Sequence, residues 1–153
     1  MKRIFCLVIC GVFLTGCASS YLESEQSGRV NFVQLNKDMF EIRALGSAYD
    51  RADVIRDYAL LKASGLCRQN GFTHFLPITQ DDSADISAED PFYMTNCYGH
   101  SCYSSTVGPT VRTKPKSIMT VKMYGAGDEL PSAAYACDMI YAHLAPQYMT
   151  SPE

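Results

Sequence analysis

The sequence predicts an α+β fold: a two-layer sandwich in which a small four-stranded sheet carries two helices on one face. The order is β-β-α-β-loop-β-α, and disulfides stabilise it. Three observations predict it. Phe40, Ile42 and Ala44 alternate with Glu41 and Arg43, the period of a half-buried strand. Beyond Asp50 the apolar spacing lengthens to that of a helix, and it does so again after Pro131. Cys67, Cys97, Cys102 and Cys137 follow the N-terminal segment, an even set that suits bridges in an oxidising compartment.

Taken in order, "RVNFVQL" and "MFEIRAL" are strand-like and flank the turn-prone Asn36-Lys37-Asp38, so a β-hairpin is expected. A helix follows, with Asp50 as N-cap and Asp53 three residues on. Val54, Tyr58 and Leu61 share one of its faces, beside a small-residue stripe of Ala59, Ala63 and Cys67. Gly71 is the expected stop, taking the left-handed conformation of a C-cap. "FTHFLPIT" is the third strand, and a right-handed crossover makes it parallel to the second. Residues 80–114 (Gln80 to Lys114) show no sustained period and carry Pro91 and Pro109; they are expected as a long irregular loop. "KSIMTVKMYG" is the fourth strand. The second helix spans "LPSAAYACDMIYAHLAP", with Pro131 near its first turn, Pro146 beyond its end, and Ala133, Cys137, Ile140 and Leu144 as its apolar stripe.

The N-terminus carries a different signal. Lys2 and Arg3 precede an apolar run, Ile4 to Leu14, too short for the ~20 residues of a membrane span. Leu14-Thr15-Gly16-Cys17 resembles the lipobox of bacterial lipoproteins. That resemblance implies cleavage before Cys17, loss of residues 1–16 as a signal peptide, and lipid, palmitate included, on Cys17. Three acyl chains exceed the two signals needed for stable attachment. Ala18 in place of Asp implies, on the same resemblance, the outer membrane. The alternative is an ordinary secretory signal with a cysteine at its border by chance. Residues 17–28 then read as the lipidated cysteine and a flexible tether, 29–146 as one periplasmic domain, and 147–153 as a mobile tail.

Charge excludes some partners. The chain has 13 basic and 16 acidic side chains, and removal of Lys2 and Arg3 takes the net charge from −3 to −5. No basic cluster exists, which argues against nucleic acid and against electrostatic binding to anionic lipid.

The candidate chemistry is sparse. Cys97-Tyr98-Gly99-His100-Ser101-Cys102 reads as a local disulfide, Cys97 to Cys102, closing a tight turn. Its rival reading is a metal or thiol-redox site of Cys97, His100 and Cys102, with Asp90 or His74 as a fourth ligand. Cys67 and Cys137 either bridge the two helices or remain buried thiols, and a crossed pairing with the loop cysteines is a third possibility. The acidic run Asp81, Asp82, Asp85, Glu89, Asp90 lacks the spacing of a calcium loop and reads as a solvated face. Tyr93, Tyr98 and Tyr103 offer a contact patch in the loop. His74 and His143 have no nucleophile placed beside them, so no hydrolase triad is expected, and no cofactor.

Tyr58-Ala59-Leu60-Leu61-Lys62-Ala63, then Gly71-Phe72-Thr73-His74-Phe75, resemble the CC0125/CC1285-type family of small bacterial lipoproteins. Lys114-Pro115 ahead of the strand Ile118 to Tyr124, with Tyr135 and Asp138 in the last helix, extend the likeness. The resemblance implies the fold and the envelope location and brings no catalytic residues. The expectation is a non-enzymatic, outer-membrane-anchored lipoprotein acting as an interaction or structural module, held to the membrane through Cys17 and meeting an envelope partner through the 80–114 loop.

Overall fold

The computed structural model describes residues 21–89, 92–108 and 110–149. Residues 1–16 and Cys17, the expected signal and lipidation site, lie outside them, as does Asp90. The first hairpin is β1 (Val30–Asn36) and β2 (Met39–Leu45), joined at Lys37 and Asp38 as the sequence predicts. Helix α2 (Ala52–Gln69) returns along the sheet to β3 (His74–Glu89). The chain goes on through β4 (Phe92–Tyr98), β5 (Ser101–Val107), β6 (Thr110–Tyr124), the two-residue β7 (Tyr135–Ala136) and α3 (Cys137–Tyr148). A short α1 (Tyr21–Gln26) precedes them all.

The fold is α+β, and among the described residues its main sheet has five strands in the order β1-β2-β6-β3-β7, every neighbour antiparallel. A second sheet is the β4-β5 pair. The expected four strands are therefore five and two. The expected parallel direction of β2 and β3 is met, with one strand, β6, lying between them and pairing with both.

One face of the sheet is buried. Phe40, Ile42 and Ala44 of β2 sit opposite Val121, Met119 and Ser117 of β6, and all six are buried with Phe75 of β3. Ile55, Tyr58, Ala59, Leu61, Ala63, Leu66 and Cys67 of α2 complete this core. The small Ala59, Ala63 and Cys67 let the helix lie close, as their stripe predicts. Gly71 takes φ +76°, and Phe72 N–H to Cys67 O (3.0 Å) with Gly71 N–H to Arg68 O (3.2 Å) closes a Schellman cap.

Three local expectations fail for local reasons. Asp50 does not cap α2: Arg51 is the N-cap residue, and the Asp50 carboxylate turns back to accept the Ser47 N–H (2.6 Å) and face Arg29 (3.8 Å). Pro131 opens a turn instead of a helix, accepting from Ala134 N–H, so α3 starts only at Cys137. Pro146 falls in the last turn of α3 rather than past its end. The expected tether is also shortened, because α1 occupies Tyr21 to Gln26 with Tyr21 and Ser24 buried and Glu25 paired to Lys62.

The helices meet through an aromatic stack. Tyr58 presents an edge-on contact to Tyr21 (5.4 Å between centroids) and another to Tyr148 (5.3 Å). Tyr148 O–H donates to Asp57 Oδ2 at 2.8 Å, so part of the expected tail is fixed to α2. Burial, helped by the bond to Asp57, pushes the Tyr148 phenol up to about 12. Burial and the nearby Glu25 carboxylate push Tyr21 up as well. In the unfolded chain such phenols titrate near ~10. Their contribution to stability is thus complete below about pH 10 and is lost as pH rises through the folded values. Thermal melts followed by circular dichroism are expected to hold steady up to that point and fall steeply above it. Tyr148→Phe is expected to flatten that fall.

Candidate functional site

β3 and β6 do not end where the sheet ends. β2 stops pairing at Leu45, opposite Lys116, while β3 and β6 continue side by side to Glu89 and Thr110. The extra ribbon, Ala84 to Glu89 against Thr110 to Pro115, projects about 20 Å at ~3.4 Å per residue. Past it comes the β4-β5 hairpin. The stem's last described pair is Glu89 with Thr110, and the hairpin's first is Phe92 with Val107. Among the described residues the expected irregular loop is therefore two antiparallel ladders, the outer one turning at Gly99-His100; together they are called the arm. Gly99 has φ +61°, as a type II′ hairpin turn needs at its first central position.

Alternation gives the arm two unlike sides. In the stem, Asp85 and Ser87 face Lys114 and Arg112 on one side. Lys116 Nζ reaches Asp85 Oδ1 at 2.8 Å across that side, and the contact raises the lysine above its ordinary range. On the other side Asp82 accepts from the buried Ser117 hydroxyl (2.6 Å), and beyond it lie Ala84, Ile86, Ala88 and Val111. Ile86 is 73% exposed and Val111 62%, so this apolar side leaves the core and runs uncovered into solvent.

At the tip the three tyrosines separate. Tyr93, Thr95 and Cys97 share one side with Cys102, Ser104 and Thr106, tied further by Thr95 and Ser104 hydroxyls 2.9 Å apart. Met94, Tyr98 and Tyr103 share the other. Tyr98 is 81% exposed and Tyr103 58%. Between Asp90 and Arg112 there is no Asp, Glu, Lys or Arg. The tip is thus an uncharged, hydroxyl- and tyrosine-rich surface at the end of a charged stem.

The cysteines pair as Cys97–Cys102 and Cys67–Cys137, both at disulfide distance, with Cα separations of 4.0 and 6.1 Å. The first pair sits directly across the hairpin, where the close approach of a non-hydrogen-bonded pair accommodates a bridge. The rival metal set of Cys97, His100 and Cys102 is not assembled. His100 is exposed in the turn, and no group of three His, Cys, Asp or Glu side chains is placed to hold a metal among the described residues. His74 Nδ1 lies 3.0 Å from Thr73 Oγ1 and His143 is exposed on α3. The described members of the acidic run lie along β3 against the basic strand.

Two cavities near the helices and the arm add little chemistry. A pocket of roughly 70 Å³ between α1, α2 and α3 is far below the several hundred Å³ of ordinary ligand sites. An open groove of about 460 Å³ lies at the arm's root, between Ala48-Tyr49 and Val111 to Thr113, and gathers no acid–base pair.

The sequence reading missed the arm, although its signals were present. Acidic residues 81–89 are mirrored by Arg112, Lys114 and Lys116 about Gly99-His100, and the charge-free interval sits between them. No helix among the described residues is long and apolar enough to cross a membrane. No family model, curated protein or solved structure matches the chain.

Proposed function

We propose that the chain is a lipid-anchored protein of the bacterial outer membrane, facing the periplasm, whose work is contact rather than catalysis. It serves as an interaction or structural module of the envelope and offers its arm to a partner protein. Kinship with the CC0125/CC1285-type lipoproteins is part of this reading, supported by Tyr58 to Ala63 and Gly71 to Phe75. The observation that carries the contact role is the set of exposed apolar and aromatic side chains along the arm: Ile86 and Val111 on the stem, Met94, Tyr98 and Tyr103 at the tip. Tyrosine supplies contact area at low entropic cost, and a hairpin stapled by Cys97 and Cys102 reaches a partner already ordered.

The anchor supplies orientation. Cys17 stands four residues before Tyr21, a reach of at most about 14 Å. Tyr21 is buried among the helices, so lipid on Cys17 holds the helical side near the bilayer and leaves the arm free to extend. Fractionation of cells expressing Cys17→Ser tests the premise. The variant is expected to lose palmitate incorporation and to leave the membrane fraction. Labelling and membrane retention equal to those of the parent would remove the anchor from the proposal.

A further inference from the structure

The sheet has two edges, and they are treated unequally. β7 is a two-residue stub, too short to template another strand. β1 spans seven residues, "VNFVQLN", with no charge and no proline, and nothing pairs with its outer edge among the described residues. Phe32, Val33 and Leu35 are 42%, 48% and 52% exposed. Edge strands are ordinarily guarded by lysines, prolines or shortness, and β1 has none of these.

Its hydrogen bonds define what fits. Leu45 N–H donates to Arg29 O at 2.9 Å, so the alternation directs Arg29, Asn31 and Val33 toward β2. Val30, Phe32 and Gln34 turn their N–H and C=O groups outward. A second copy of β1, antiparallel and related by a two-fold axis normal to the sheet, presents the same groups in return. Because such an axis keeps each copy's faces aligned, even-numbered outward residues must meet one another. With the axis at Phe32, Phe32 faces its own copy, Val30 faces Gln34, and Arg29 faces Leu35. Moving the axis one residue to Val33 sets Arg29 against Lys37, like charge against like. The register at Phe32 avoids this and keeps the uncharged strands in contact.

We infer that β1 is a self-association edge, pairing with β1 of a second copy to make one continuous antiparallel sheet of ten strands. The axis at Phe32 brings the two Phe32 rings together on the helix side, each resting on Phe40 (6.2 Å between centroids) and under Lys62 Nζ (5.2 Å). The outer faces of the two sheets then form one surface, and each copy keeps its own arm.

Sedimentation of the full-length protein in detergent, with the detergent density-matched, tests this. The parent is expected at twice the chain mass. Gln34→Pro removes an outward N–H without touching the ladder to β2, and Phe32→Lys sets like charges across the axis; each is expected to weaken the dimer at least tenfold. Tyr98→Ser with Tyr103→Ser serves as the control and is expected to keep the dimer mass. A parent that sediments as a monomer at every accessible concentration overturns the inference. So does a dimer that survives both β1 variants while their melting remains that of the parent, or one that is lost in the tyrosine control, which would move the interface to the arm.

Discussion

Replacing Cys67 and Cys137 together with alanine is expected to lower stability by about 4 kcal/mol, the largest effect of any pair of substitutions considered. The two residues are separated by 70 positions, and closing a loop of that size removes about 4 kcal/mol of chain entropy from the unfolded state. Both residues are fully buried at the meeting of α2 and α3, so truncation to alanine also leaves unfilled volume. The placement makes the loss more than additive in its consequences. α3 also joins the core through Leu144, Ile140, the Tyr148 contacts with Tyr58 and Asp57, and Arg68, which lies over Tyr141 and pairs with the exposed Asp138. An exposed ion pair is worth little, so the bridge is the main covalent hold on the C-terminal helix. Urea unfolding monitored by far-ultraviolet circular dichroism, compared between parent and double variant, measures the change. A loss below ~1 kcal/mol would mean that the bridge does not constrain the unfolded chain as its position implies. Alanine at Cys97 and Cys102 is expected to cost much less, since the closed loop spans only five positions.

What the sequence disclosed follows from where the physics is local. The β1-β2 hairpin was legible because a turn triplet sits between two strands, one of which alternates against a core. α2 was legible because its period, small-residue stripe and Gly71 stop agree with one another. The insertion of β6 between β2 and β3 was not, because it depends on pairing residues more than seventy positions apart in the chain, Met39 with Lys122 among them. The arm was hidden for another reason. Period-two alternation marks a strand only when one of its faces is buried, and from Ala84 to Thr106 the described side chains are exposed on both. What remained was charge: an acidic strand, a neutral interval and a basic strand, symmetric about Gly99-His100. Reading the acidic run as a bare solvated face considered one strand without its complement. Asp50 misled as a cap for a similar reason, because the competing acceptor role toward Ser47 N–H belongs to the turn before the helix. The three tyrosines expected as one patch do not share a side, since alternation assigns Tyr93 to the opposite side from Tyr98 and Tyr103.

That division yields the sharper of the functional tests. Tyr98→Ser with Tyr103→Ser is expected to weaken capture of the proposed partner by on the order of a hundredfold, the cost of losing two aromatic anchors worth about 2–4 kcal/mol in total. Thermal stability should stay within ~0.5 kcal/mol of the parent, because both rings are exposed and support no core contact. Tyr93→Ser, on the disulfide side, is expected to change capture by no more than a few-fold. The measurement is site-specific photocrosslinking in intact cells from Met94, which shares the apolar side, followed by quantifying the same adduct in each background. Equal losses from the Tyr93 variant and from the paired variant would show that the arm is not read by one side. Undiminished capture in the paired variant would show that its tip is not the contact surface at all. A graded outcome, with Ile86→Ser or Val111→Ser adding to the tip variant, would extend the surface down the stem toward the core. The stem's exposure motivates that test, since Ala84, Ile86 and Val111 lie on the side that begins at the buried Ser117. A partner seated there would meet a strip whose inner end is already fixed by the fold and whose outer end is held by Cys97 and Cys102.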